Sequence, residues 1–211
     1  MFSPLHLAQL LLALQLLFSG KTLAFDGTNL RIDRTNYDRS QLDLVGAEVA
    51  SKNEFPFFAL FANGECGGAL ISESIVLTAA SCVQSGHPAT VRIGATNRTN
   101  GKEVKVRCAK SHPLYVWPKY QYDIAVIKLE EPITHITEFP ILNPFTDYPS
   151  VSGQNLTVVG MGRNATAGFT AKTLMKLDYG YVTDEECKTL YQDKVSLGLH
   201  ICAAGFREGS E

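Results

Sequence analysis

From Phe55 onward, short apolar segments alternate with Gly, Pro, Asn and Asp, and no stretch sustains a long 3.6-residue period. The apolar runs predict strands at Phe55–Phe61, Gly68–Ile71, Ile75–Thr78, Thr90–Ile93, Glu103–Cys108, Ile124–Leu129, Leu156–Gly160 and Leu174–Tyr181. Many short strands punctuated by turn residues argue for an all-β protein, an antiparallel barrel or sandwich. Helical signals are few. Cys82 opens a helical turn, and Thr183–Tyr191 reads as a short helix with Thr183 as N-cap and Glu186 three residues on. That pair has the spacing of a capping box.

The first 43 residues follow other patterns. Leu5–Phe18 is an apolar run followed by a small-residue site ending Thr22-Leu23-Ala24, which predicts a secretory signal peptide over 1–24. The run is shorter than the ~18–20 apolar residues a membrane span needs. Residues 25–43 are polar and aperiodic, a leader or propeptide-like segment. The mature chain is thus expected to be secreted and extracellular, with no membrane span.

Charge and composition narrow the function classes. The 211 residues carry 19 Lys and Arg against 21 Asp and Glu, a net of -2. The sequence shows no basic stripe, so nucleic-acid binding has no electrostatic support. Five cysteines in an exported chain are disulfide candidates. Asn97-Arg-Thr, Asn155-Leu-Thr and Asn164-Ala-Thr are N-glycosylation sequons, expected on exposed loops. No cofactor is expected: there is no zinc-type Cys or His cluster and no Gly-rich phosphate loop.

Six segments, taken in order, carry a family resemblance. They are Leu44-Val-Gly-Ala47, the run from Cys66-Gly-Gly-Ala-Leu-Ile to Leu-Thr-Ala-Ala-Ser81-Cys82, Tyr122-Asp123-Ile-Ala-Val-Ile-Lys-Leu129, Val158-Val-Gly-Met-Gly162, Leu177–Cys187, and His200-Ile-Cys-Ala-Ala-Gly205. Together they resemble the trypsin- and chymotrypsin-like serine protease family, peptidase S1. The resemblance implies a chymotrypsin-like double β-barrel over 44–211, with the first barrel complete over about 44–137 and the second truncated. It also implies local bridges Cys66–Cys82 and Cys187–Cys202. Closing loops of that size stabilises a fold by about 3 kcal/mol on the chain-entropy argument. Cys108 is left over, and burial as a small free thiol is favoured over pairing between chains.

The same resemblance assigns roles. Asp123 matches the aspartate that orients the catalytic histidine, whereas Ser81 stands where that histidine belongs. A hydroxyl does not serve as a general base near neutral pH. Asp123 is therefore expected to be a structural carboxylate, satisfied by Ser81 and backbone amides. Met161 replaces a tryptophan of the family. Asp43 precedes the activation-type motif, and Arg39 is the nearest basic residue upstream. His112, in Ser-His-Pro, resembles a surface strand-turn, and His87 is expected to be an exposed loop residue. The calcium loop of some relatives corresponds to Gly94–Lys105, where Glu103 is the only carboxylate.

The sequence ends before the family's Gly-Asp-Ser-Gly-Gly loop, so the nucleophile is absent and a truncated sequence is expected. Losing nucleophile or base alone costs on the order of 10⁶ in turnover, roughly 8–9 kcal/mol of barrier. The function expected is that of a proteolytically inactive homologue acting by binding an unidentified protein partner or by regulation. The alternative is a serine-type endopeptidase represented by a truncated or divergent sequence.

Overall fold

The structure is a computed structural model that describes residues 47–64, 66–142, 151–164, 169–191, 195–196 and 198–205. The expected signal peptide, the leader and Leu44 to Gly46 lie outside the described residues.

Six strands close the first barrel: β2 (Phe58–Phe61), β3 (Gly67–Ser72), β4 (Ile75–Thr78), β5 (Thr90–Ile93), β6 (Lys102–Ser111) and β7 (Ala125–Leu129). They run around the barrel in the order β2-β3-β4-β7-β6-β5, every neighbouring pair antiparallel. Alternate residues point inward, as pleated strands require. Ala59, Phe61, Leu70, Val76, Val91, Ile93, Val104, Val106, Ile127 and Leu129 share one buried core. Gly68 has no side chain for a reason. A Cβ there would collide with the Leu77 carbonyl oxygen and lie 2.9 Å from Val76 Cγ1, so the β3–β4 contact admits only glycine.

The second unit is a four-stranded antiparallel sheet. Its long central strand β11 (Met175–Val182) pairs with β8 (Asn155–Gly160) on one side. On the other side it pairs with β1 (Glu48–Val49) and β12 (Cys202–Gly205). β9 (Arg163–Asn164) and β10 (Phe169–Thr170) form a separate hairpin. The first strand in sequence therefore joins the second sheet, not the first barrel, whose strands begin at Phe58. All four residues of β2 are buried because each face has a cover. Ala59 and Phe61 face the barrel interior, and Phe58 and Leu60 pack with Ala95, Met161 and Leu174 between the two sheets.

The predicted helix is α1 (Asp184–Tyr191). Its capping box is reciprocal: Glu186 N–H donates to Thr183 Oγ1 (3.3 Å), and Thr183 N–H donates to Glu186 Oε2 (3.0 Å). The Thr183 hydroxyl also donates to Glu186 Oε2 (2.8 Å), and this bond, with that from the Thr183 N–H, holds the Glu186 carboxyl below its ordinary pKa. No helix among the described residues is long and apolar enough to cross a membrane.

Cys108 corrects an expectation. It is an exposed free thiol, not a buried one. A bulge between Val106 and Cys108 adds a residue to β6 and inverts its inside–outside phase. Val104 and Val106 point inward, Arg107 and Cys108 both point outward, and Ala109 returns toward the core.

Candidate functional site

Ser81 and Asp123 meet across 42 positions of sequence. Ser81 lies in the 3-10 turn Ala80–Cys82 that follows β4. The fully buried Ala80 anchors this turn on one side of Ser81, and the Cys66–Cys82 disulfide ties it to the start of β3 on the other, with a Cα–Cα distance of 6.0 Å. Asp123 immediately precedes Ile124 and β7. The Ser81 hydroxyl donates to Asp123 Oδ2 at 2.9 Å, and the Ser81 N–H donates to Oδ1 at 2.7 Å. Both carboxylate oxygens thus receive hydrogen bonds from one residue. Both groups are half-buried. The arrangement fixes the carboxylate in place, one donor on each oxygen. It contains no imidazole: among the described residues neither Ser81 nor Asp123 is bonded to a histidine.

The segment leading to Asp123 is conformationally unusual. Tyr120 and Tyr122 adopt φ of 52° and 54°, the left-handed region that bulky residues seldom occupy. Tyr122 is held there by stacking on His112, with ring centroids 4.8 Å apart, and the Tyr122 carbonyl accepts from Ile124 N–H at 2.7 Å. His112 is itself buried, which corrects its reading as a surface residue. Its Nδ1 accepts from Leu114 N–H at 3.1 Å, and burial pushes its pKa below the ordinary histidine value. Tyr115, on the same loop, donates its hydroxyl to Gln84 Oε1 (3.1 Å). Burial raises the Tyr115 pKa, and the negative charge of Asp123 adds to the effect.

The other histidines stand apart from this pair. His87 is exposed, with Nδ1 3.0 Å from the Pro88 carbonyl oxygen. His135 is exposed, and His200 Nδ1 accepts from Ser196 N–H at 3.1 Å. His6 lies outside the described residues.

The second disulfide, Cys187–Cys202, joins α1 to β12 with a Cα–Cα distance of 6.1 Å. Asn155 is exposed at the start of β8. Asn97 is half-buried, and its Oδ1 accepts from Thr99 N–H, Thr99 Oγ1 and Asn100 N–H, each at 2.9 Å. Asn164 falls in β9, register-paired with Phe169 of β10. No group of three or more His, Cys, Asp or Glu gathers among the described residues in a way that would hold a metal.

One structural residue escaped the sequence reading because it was hidden inside a sequon. Arg98 donates Nη1 to the Gly64 carbonyl (3.0 Å), Nε to that of Ala171 (2.9 Å) and Nη2 to that of Met161 (2.6 Å). The guanidinium fork thereby clasps the first barrel to the second sheet. Beside it, Phe57, Phe58, Gly67 and Gly68 face Val159 and Met161 across a cavity of about 420 Å³.

Comparison with known proteins agrees with this arrangement. The family model described as Trypsin matches residues 44–210. Trypsin 5G1 of Aedes aegypti is 32% identical over 180 residues, covering 82% of this chain and 68% of that protein. Serine proteinase stubble of Drosophila melanogaster is 30% identical over 197 residues, covering 82% of this chain and 24% of that protein. A trypsin-like protease of Streptomyces glaucescens is 34% identical over 173 residues, covering 79% of this chain and 61% of the relative. The chain thus spans less than two thirds of the length of the latter two. A solved structure described as "Structure of GrC" superposes with a TM-score of 0.66 at 26% identity, over 79% of this chain and 81% of that one. The closed six-stranded barrel, the second antiparallel sheet, the Cys66–Cys82 turn and the family match converge: the chain belongs to the trypsin-like serine protease family and has its chymotrypsin-like double-barrel fold.

Proposed function

We propose that this chain is a secreted member of the family that does not carry out triad proteolysis and acts by binding or regulating another protein. The observation that carries this reading is the Ser81–Asp123 contact. The position that would hold the general base presents a hydroxyl, and that hydroxyl donates to the aspartate. In triad chemistry the base must accept the nucleophile's proton and later return it to the leaving group. A serine hydroxyl at neutral pH performs neither step at a useful rate. Asp123 is left as an anchor that positions the turn rather than as a partner in catalysis. The two disulfides support an oxidising, extracellular setting. Asn155, the exposed sequon on β8, is the first candidate for a glycan.

A second reading, serine-type endopeptidase, draws support from the relatives, two of which are named trypsin or trypsin-like protease. It requires a base other than residue 81. The purified full chain, treated with a serine-directed phosphonate and with fluorogenic Arg, Phe and Ala peptide substrates, separates the two. No labelling and no cleavage are expected. Stoichiometric labelling would overturn the binding reading in favour of the endopeptidase.

A further inference from the structure

We propose that the outward face of β6, with Lys128 beside it, is a binding surface for sulfated polysaccharides. The ten residues of β6 carry Lys102, Lys105, Arg107 and Lys110 against one acid, Glu103, a net of +3 in a chain whose total is -2. In linear sequence these cations do not share a face. Lys105 and Arg107 are in phase, whereas Lys110, three residues on, would point inward on a regular strand. The bulge between Val106 and Cys108 shifts the phase by one residue and brings Lys110 outward, where it is exposed together with Lys105 and Arg107. Lys128 of β7 is register-paired with Cys108 and adds a fourth cation to the same surface.

These cations are available. Glu103 is occupied by Arg92 at 2.6 Å, and neither Lys105, Arg107 nor Lys110 forms an ion pair with a described residue. Lys128 donates to Ser74 Oγ, a neutral partner, at 2.5 Å. Glu130, whose N–H donates to the Lys105 carbonyl, is the acid adjoining this face and leaves it with a cationic excess. Exposed His87 lies beyond Ala89, whose carbonyl accepts from Val106 N–H.

The surface is a rigid strand of a closed barrel, with same-face side chains about 6.6–6.8 Å apart. It carries no aromatic residue that would stack a base, as single-stranded nucleic-acid sites commonly require. A linear polyanion recognised by charge and spacing fits it. The two disulfides point to an oxidising compartment, in which sulfated polysaccharide is the polyanion of suitable chemistry.

Cys108 supplies an internal reporter, since the exposed thiol sits between Arg107 and Lys110. The full chain is titrated with heparin as the sulfated probe, hyaluronan as the unsulfated control and single-stranded DNA as the phosphate control, while alkylation of Cys108 is followed. Heparin is expected to bind more tightly than either control, to abolish most Cys108 alkylation, and to weaken with salt with a log–log slope of about three, as four contacts predict. The triple variant Lys105→Gln, Arg107→Gln, Lys110→Gln is expected to lose about 100-fold in affinity, roughly fivefold for each cation removed. Lys172→Glu, exposed outside this face, should leave binding unchanged. All three substituted side chains are exposed, and unchanged circular dichroism confirms the fold of the variant. Equal or tighter binding of DNA, heparin binding unaffected by the triple variant, or undiminished alkylation in saturating heparin would each overturn the proposal.

Discussion

The two halves of the molecule are held together by different means. The first barrel closes on itself and buries a continuous apolar core in which Leu70, Val76, Val91 and Ile127 are fully inaccessible. The second sheet has four strands, and the small cluster on its far side rests on Leu156 and Tyr181 with Ile201. Toward the barrel it packs through the small apolar seam of Phe58, Leu60, Ala95, Met161 and Leu174, and it is further tied by the Arg98 clasp, the α1 capping box and the Cys187–Cys202 disulfide. A closed barrel has no unpaired edge and concentrates its stability in packing. An open sheet depends on individual tethers.

This contrast can be broken at several points. Leu70→Ala removes a fully buried side chain from the closed core and should lower unfolding stability by about 4 kcal/mol, against about 2 kcal/mol for Leu156→Ala. Denaturant melts of the two variants check the ratio, and equal losses would refute the division. Arg98→Met keeps length and apolar stem but deletes three charge-assisted donors, for an expected loss of about 3 kcal/mol. Tryptophan fluorescence from Trp117, on the barrel side, should then unfold after a circular dichroism signal that includes the second sheet. Thr183→Ala removes the N-cap of α1 and should cost about 1 kcal/mol, read as earlier proteolytic nicking near the helix.

The smallest effect is a pH dependence. Burial holds the folded-state pKa of His112 below the ordinary histidine value of 6.5, so at mildly acidic pH the unfolded chain binds the proton more readily. Stability from this group is complete above about pH 6.5 and declines as pH falls from there toward the lowered folded-state value. His112→Gln should flatten that part of the stability profile. At more acidic pH, the Glu186 carboxylate, held below its ordinary 4.5 by Thr183, loses its contribution as it protonates.

Much of the fold was legible in the sequence because strand formation in a barrel writes a local signature. Ile75–Thr78 and Thr90–Ile93 were readable to the residue, since turn residues bound both apolar runs. β1 and β12 were not anticipated as strands. Two residues of Glu48–Val49 carry no periodicity, and Cys202–Gly205 is too small in side chain to show any. Phe55 and Pro56 were read as strand, yet Phe58 N–H bonds back to the Phe55 carbonyl in a turn.

The sequence by itself determined which residues occupy the site: Ser81 within an otherwise intact motif, Asp123 before its strand, and a pair of cysteines to fix the turn. Only the tertiary structure decided how they are used. Whether Ser81 reaches Asp123, whether His112 is buried, and whether Arg98 spans two sheets depend on contacts between residues 42, 10 and 73 positions apart in the chain. The phase of β6 belongs to the same class. One bulged residue exposes Cys108 and gathers Lys105, Arg107 and Lys110 on one face. Side-chain direction in a strand depends on hydrogen-bond register with its neighbours, and that register is set by pairing across the barrel rather than along the chain.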